Sequence, residues 1–164
     1  MLSKNVQDAI NEQIKNELFS AYLYLAMSAY FEAENLPGCA RWMRMQSNEE
    51  VEHAMKFFDF VFDRGGRVTL KAIDQPAFEW KSPLAAFEQA YEHEQKVTSM
   101  INNIYAVATK ENDYPTQVML HWFIDEQVEE EKNASTIVEQ LKMIGDHTNG
   151  LLMLDHRLGE RGGD

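Results

Sequence analysis

Apolar side chains recur at steps of three and four residues through four long stretches of this chain, the period of one helix face. In the first stretch the line runs through Ile10, Ile14, Glu17, Ala21, Tyr24, Ser28 and Phe31. In the second it is Cys39, Met43, Gln46, Glu50, His53, Phe57 and Phe60. The third gives Leu84, Phe87, Tyr91, Glu94, Thr98, Ile101, Tyr105 and Ala108. The fourth gives Thr116, Leu120, Phe123, Gln127, Glu130, Ala134, Ile137, Leu141 and Ile144. Proline and glycine bound these stretches, at Asn35-Leu36-Pro37-Gly38, Gly65-Gly66, Asn112-Asp113-Tyr114-Pro115 and Gly145. Ser82-Pro83 reads as an N-cap followed by proline at the first helical position. The spacing predicts helices over about 6–34, 39–64, 83–111 and 115–144, and a short amphipathic helix over about 148–158. Residues 67–81 carry Val, Thr, Pro76 and Trp80 without helical period and read as a long connection.

Helices of this length reach roughly 40–45 Å at about 1.5 Å per residue. They exceed the globular mean and suit a bundle. Short links on either side of the long connection favour antiparallel hairpins, and the long connection lets the second helix run parallel to the third. The expected architecture is an all-α, ferritin-like four-helix bundle with one long crossover and a short fifth helix, a single domain over residues 1–164.

Each apolar line is broken near its middle by acids or their near equivalents, and the breaks repeat. Glu50 and His53 follow Glu17 at 33 and 36 residues (50 − 17, 53 − 17); Gln127 and Glu130 follow Glu94 at the same intervals (127 − 94, 130 − 94). A lone glutamate on a helix is ordinarily solvated. Four helices interrupted at mid-line are different, because burying an isolated carboxylate costs several kcal/mol. No Lys or Arg falls on these lines near the acids. A pair of divalent cations removes the cost. Four carboxylates and one imidazole make a hard, oxygen-rich donor set without thiolate, which favours iron or manganese over structural zinc or Cu(I). Glu50 and His53 lie one turn apart and can hold one ion, while the Glu50 carboxylate can bridge two.

Composition narrows the class. A net charge of −12 argues against nucleic acid as a partner and suits a protein that attracts cations. The lone Cys39 excludes an internal disulfide and a CxxC metal knuckle. No apolar leader follows the start, and the Ala21–Phe31 run is too short to span a membrane. The expected compartment is the reducing cytoplasm.

At these residues the chain resembles the ferritins, specifically the non-haem bacterial and archaeal type. The diiron members of that fold use single glutamates and Glu-x-x-His motifs. Here the first motif is intact as Glu50-Val51-Glu52-His53, and the second reads Gln127-Val128-Glu129-Glu130, without a histidine. That departure separates the chain from bacterioferritin, whose haem-ligating Met is replaced here by Val51, so no haem is expected. The resemblance implies a ferroxidase that oxidises Fe(II) with O2 or H2O2 and stores the ferric mineral in a shell of 24 subunits. It implies a first iron position at Glu17, Glu50 and His53, with Gln127 hydrogen-bonding beside it, and a second at Glu50, Glu94 and Glu130. Tyr24 matches the tyrosine beside the family's diiron centre, where it either lends an electron or orders its neighbours; packing with a satisfied hydroxyl is the plainer reading. A third iron position corresponds to Glu49, Glu126, Glu129 and Glu130, against the plainer reading of a solvated acidic run over 125–131. Trp122 is either a redox neighbour or an ordinary core or interface residue. His93, His121, His147 and His156 have no motif partner. Leu151, Leu152, Leu154 and Leu158 would give the fifth helix an apolar face along the fourfold axes. Gln117 and Leu120 stand where animal ferritins place the acids of their threefold channels, which leaves the iron entry route open. Other readings were a small diiron enzyme like rubrerythrin, opposed by the missing CxxC module, a DNA-protecting mini-ferritin, opposed by the missing basic tail, and a metal-free scaffold, opposed by the acids on the core lines.

Overall fold

The Ser3 hydroxyl accepts a hydrogen bond from the Val6 amide and so opens α1 (Lys4–Ala33), two residues earlier than the apolar pattern indicates. The computed structural model describes residues 1–162. Asn35, at φ 60°, turns the chain into α2 (Pro37–Asp63). Pro37 is the first helical residue rather than part of the loop, because its missing N–H would be unpaired there anyway. Gly65, at φ 70°, ends α2, with its own amide on the Phe62 carbonyl and the Gly66 amide on that of Val61. The Ser82 hydroxyl caps the Ala85 amide to begin α3 (Pro83–Lys110). Asp113 caps the Thr116 amide at the start of α4 (Tyr114–Ile144) and is held by Arg64, whose Nη1 lies 2.9 Å away. α5 (Thr148–Leu158) follows Gly145. All five helices lie within two residues of their expected ends, and there is no strand among the described residues.

α1 packs on α2, α3 on α4, and the two hairpins meet chiefly through α1 and α3. The crossover is laid along α1. Asn11 pairs with the Arg67 carbonyl and the Thr69 amide at 3.0 and 3.1 Å, Lys71 reaches Glu12 at 2.6 Å, and Trp80 meets the Tyr30 ring edge-on at 5.4 Å. The connection therefore runs from the N-terminal end of α1 to its C-terminal end, which makes α2 and α3 parallel.

Two apolar clusters fill the bundle. One gathers Tyr24, Met27, Phe31, Met43 and Phe87; the other gathers Ile10, Ile14, Phe57, Ile101, Leu120 and Phe123. Phe57 of α2 stacks on Phe123 of α4 with centroids 4.0 Å apart. The expected lines of α1, α2 and α4 are buried almost throughout. The line of α3 is rotated. Phe87, Glu94, Ile101 and Ala108 are buried as expected, but their companions are Ala90, Val97 and Ile104, while Leu84, Tyr91, Thr98 and Tyr105 are only half-buried. Steps of three and four allow either set, and the approach of α1 and α4 selects the first.

α5 docks on the start of α2. Leu36 offers no side-chain cap there, and Asp155 supplies it, its buried Oδ1 accepting the Cys39 amide at 2.8 Å. Gly38 permits the approach, since a Cβ at that position would stand 1.7 Å from the Asp155 carbonyl oxygen. The expected apolar face of α5 divides: Leu154 and Leu158 are buried and Leu151 is half-buried, whereas Leu152 is exposed beside Met153. Alanine in place of glycine ordinarily stabilises a helix by about 1 kcal/mol. Gly38→Ala is expected to reverse that sign and destabilise the fold by roughly 1–3 kcal/mol through overpacking. Faster amide hydrogen exchange across α5 checks this; unchanged protection there refutes it.

Candidate metal centre

A polar layer separates the two apolar clusters. It is built from mid-helix side chains: Glu17 on α1, Glu50 and His53 on α2, Glu94 on α3, and Gln127 and Glu130 on α4. The four acids and the histidine are each at most 5% exposed. Ligand atoms of Glu17, Glu50 and His53 lie within 4.8 Å of one another, and those of Glu50, Glu94 and Glu130 do the same. The structure thus assembles both expected trios, with Glu50 common to them. None of the four acids pairs with a lysine or arginine among the described residues; the one ionic neighbour is His53, whose Nδ1 lies 3.4 Å from Glu50 Oε2.

Donors around the acids fix their orientation. The Tyr24 hydroxyl donates to Glu94 Oε1, and the Gln127 amide donates to Glu94 Oε2 at 3.1 Å and to Thr98 at 3.2 Å. Gln127 therefore serves Glu94 in the second trio. Two further glutamines take part: Gln46, which stands on the expected line of α2 without an assigned role, and Gln13, which the apolar pattern of α1 does not single out. Gln13 donates to Glu17 Oε1 at 3.0 Å; Gln46 donates to Glu130 Oε2 at 2.5 Å and to Glu50 Oε1 at 3.4 Å. Each sits one turn before an acid, and they are 33 residues apart (46 − 13), the interval of the acids themselves. That repeat was the available signal. Two buried acceptors, Glu17 Oε2 and Gln46 Oε1, have no hydrogen-bond partner among the described residues. Buried acceptors are nearly always paired, so unpaired ones beside the clustered acids fit a cation.

Burial dominates the ionisation of the layer. It lifts Glu17 and Glu50 well above the ordinary glutamate range, reinforced by Glu50 for the first and Glu94 for the second. Burial raises Glu94 to about 7 against the hydrogen bonds from Tyr24 and Gln127. It raises Glu130 to about 8, with Glu94 adding to the effect and Gln46 opposing it. The Tyr24 phenol is pushed up by burial and by Glu94. The partly buried His93 ring has its pKa lowered to about 4, chiefly by desolvation; it lies 2.7 Å from Ser20 Oγ and edge-on to Tyr24.

The residues expected at a third position are only partly gathered. Glu126 and Glu130 lie together, with His53 as their third member, again within 4.8 Å. Glu129 is exposed, and Glu49 is turned to Arg161 at 2.8 Å; neither joins a trio among the described residues. Trp122 is 40% exposed, meets His53 edge-on at 5.3 Å, and lies under the Lys56 ammonium at 4.2 Å.

These shifts set a pH dependence. A glutamate whose pKa is raised in the folded state binds its proton more tightly there than in the unfolded chain, near about 4.3. The resulting stability is full below that value and is lost as pH rises through the folded values of about 7 and 8. The metal-free protein is expected to lose melting temperature steadily between about pH 5 and 8, and a saturating divalent cation is expected to flatten the slope. Thermal melts across pH, with and without chelator, measure both; a metal-free Tm rising through that window refutes the protonated layer.

The comparisons agree with this geometry. The family model described as a Ferritin-like domain matches residues 7–144. The chain is 43% identical over 161 residues to the bacterial non-heme ferritin of Bacteroides fragilis, covering 98% of this chain and 100% of that one. It is 38% identical over the same length to that of Staphylococcus aureus, covering 98% and 97%. Among solved structures it superposes on the open pore ferritin of the hyperthermophilic archaeon Archaeoglobus fulgidus with a TM-score of 0.97 and 50% identity, over 98% of this chain and 99% of that one. An engineered closed form of the same archaeal ferritin fits equally well, with a TM-score of 0.97. A bundle with one crossover, two acid trios sharing Glu50, and full-length similarity to these proteins place the chain in the ferritin family, in its non-haem bacterial and archaeal branch.

Proposed function

We propose that the chain oxidises Fe(II) to Fe(III) at a dinuclear site inside each subunit and stores the ferric product within a hollow shell of identical subunits, 24 in number. The observation that carries this reading is the layer of four buried carboxylates with no lysine or arginine paired to them among the described residues, where one oxygen, Glu17 Oε2, also lacks a hydrogen-bond partner. Glu17, Glu50 and His53 hold one ferrous ion, and Glu50, Glu94 and Glu130 hold the other. Glu50 spans the pair. Each ferrous ion gives up one electron, and one molecule of O2 or H2O2 accepts both, with two protons, to give H2O2 or two waters. Two such ions held side by side allow a two-electron step that one ion alone does not.

The protein's own groups prepare that step. Binding a metal displaces the protons that burial holds on the glutamates, so iron uptake releases protons. Tyr24 and Gln127 grip opposite oxygens of Glu94, and Gln46 ties Glu50 to Glu130 across the bundle, so the ligands stand in place before iron arrives. The apolar clusters on either side exclude water. Glu126 and Glu130, with His53 as their neighbour and Glu49 and Glu129 as outlying acids, form a third position through which iron leaves the pair for the cavity. Neither a haem nor an organic cofactor takes part, and the reducing cytoplasm is the proposed compartment; among the described residues no helix is long and apolar enough to cross a membrane.

Removing a ligand of the pair is expected to cost more than removing a supporting hydrogen bond, for which about 10–100-fold is usual. Glu50→Ala and His53→Ala should therefore lower the initial rate of Fe(II) oxidation by about 100-fold or more while the shell still assembles. Stopped-flow absorbance and native mass check this, and an unchanged initial rate in either variant sinks the assigned pair. Glu126→Ala should leave the first burst within about twofold and slow the turnovers that follow. An equal loss in both phases counts against a separate third position.

A further inference from the structure

The third position lacks two of its expected ligands, Glu49 and Glu129, and the first of them is paired with a basic residue that follows α5. Arg161 Nη2 lies 2.8 Å from Glu49 Oε2. This is more than a loose surface pair. The guanidinium lies over the Trp42 indole at 4.5 Å, its Nη1 donates to the Trp42 carbonyl at 3.2 Å, and the Arg161 carbonyl accepts from Arg41 Nε at 3.1 Å. The segment that carries Arg161 follows directly from α5, which the Gly38 approach and the Asp155 cap fix to the start of α2. With Glu49 paired to Arg161 and Glu129 exposed, the position is left with His53, Glu126 and Glu130. Two of these already belong to the dinuclear trios. When the pair is filled, Glu126 is the one ligand of the gathered three not engaged elsewhere.

We propose that Arg161 is a positioning residue that keeps Glu49 off the third iron position, so that iron there is held weakly and passes on. The inference rests on the proposed third position and adds a control that the acids themselves do not contain. A partly exposed ion pair is worth up to about 1 kcal/mol, which converts to about fivefold in affinity.

The test titrates the assembled shell with Fe(II) under anaerobic conditions, by calorimetry, and reads the affinity of the weakest-bound equivalent. Arg161→Ala is expected to tighten it about fivefold, and Arg161→Lys, which keeps the positive charge, to stay near the parent. Where Arg161→Ala does not assemble, Arg161→Gln carries the same test, because its stem still lies on Trp42. In a Glu49→Ala background the Arg161 substitution should have no further effect, which a merely structural role for the arginine does not predict. Unchanged affinity in Arg161→Ala, with Glu49→Ala weakening the same equivalent, overturns the role of Arg161 and leaves the third position standing. Tightening that persists in the Glu49→Ala background also overturns it. A Glu126→Ala shell that binds as many Fe(II) per chain, equally tightly, removes the third position and the inference with it.

Discussion

Four carboxylates enclosed between two apolar clusters are the constraint to which the rest of the molecule answers. Burying one isolated carboxylate costs several kcal/mol, and Glu17, Glu50, Glu94 and Glu130 occupy one layer. Protons relieve the charge at low pH, a bound cation would relieve it at higher pH, and amide and phenol donors hold the oxygens in either case. Long helices follow from this. An acid layer at mid-helix needs apolar packing both above and below it, and helices of 27–31 residues supply both, at roughly 40–47 Å each. The Phe57–Phe123 stack and the Phe31–Phe87 contact lie on opposite sides of the layer and keep the bundle closed around a centre that would otherwise repel itself.

The ends of the bundle are tied with equal economy. Asp155 and Gly38 lock α5 to α2 at one end, and Arg64 with Asp113 locks α2 to α4 at the other. Asp155 and Asp113 each double as a helix cap, so breaking either contact also frays a helix start. The same docking of α5 carries Arg161 to Glu49, the residue next in sequence to Glu50.

Most of the architecture could be read from the chain because its signals are local. Apolar spacing, the Ser82-Pro83 start and the Gly65 and Gly145 stops place the helices to within two residues. The gathering of the acids and His53 was legible for a different reason: acids on core lines contradict the pattern around them, and the 33-residue repeat shows the contradiction to be systematic. What escaped depends on contacts between distant segments. Gly38 reads as a helix breaker and is in fact a helical residue whose missing side chain admits α5, which only the fold can show. Gln13 and Gln46 were polar residues in the core stretches, but their role is defined by the acids they touch. The rotated face of α3 depends on which neighbours approach it. Arg161 and Glu49 are 112 residues apart, and nothing local in either one announces the other.

The distribution of ligands between the hairpins has a consequence for how the centre comes into being. Glu17, Glu50, His53, Gln13 and Gln46 all lie on α1 and α2, so the first trio is complete within a single helical hairpin closed by a short turn. The second trio needs Glu94 and Glu130 from α3 and α4, and forms only once the 19-residue crossover at 64–82 has returned the chain along α1 and the hairpins have docked. Closing that larger loop costs more conformational entropy than closing the hairpin turn. During synthesis the first hairpin emerges with a potential ion-binding trio before the partner acids exist. Glu50, the residue common to both trios, is then the point at which the docking of one half of the molecule is registered by the other.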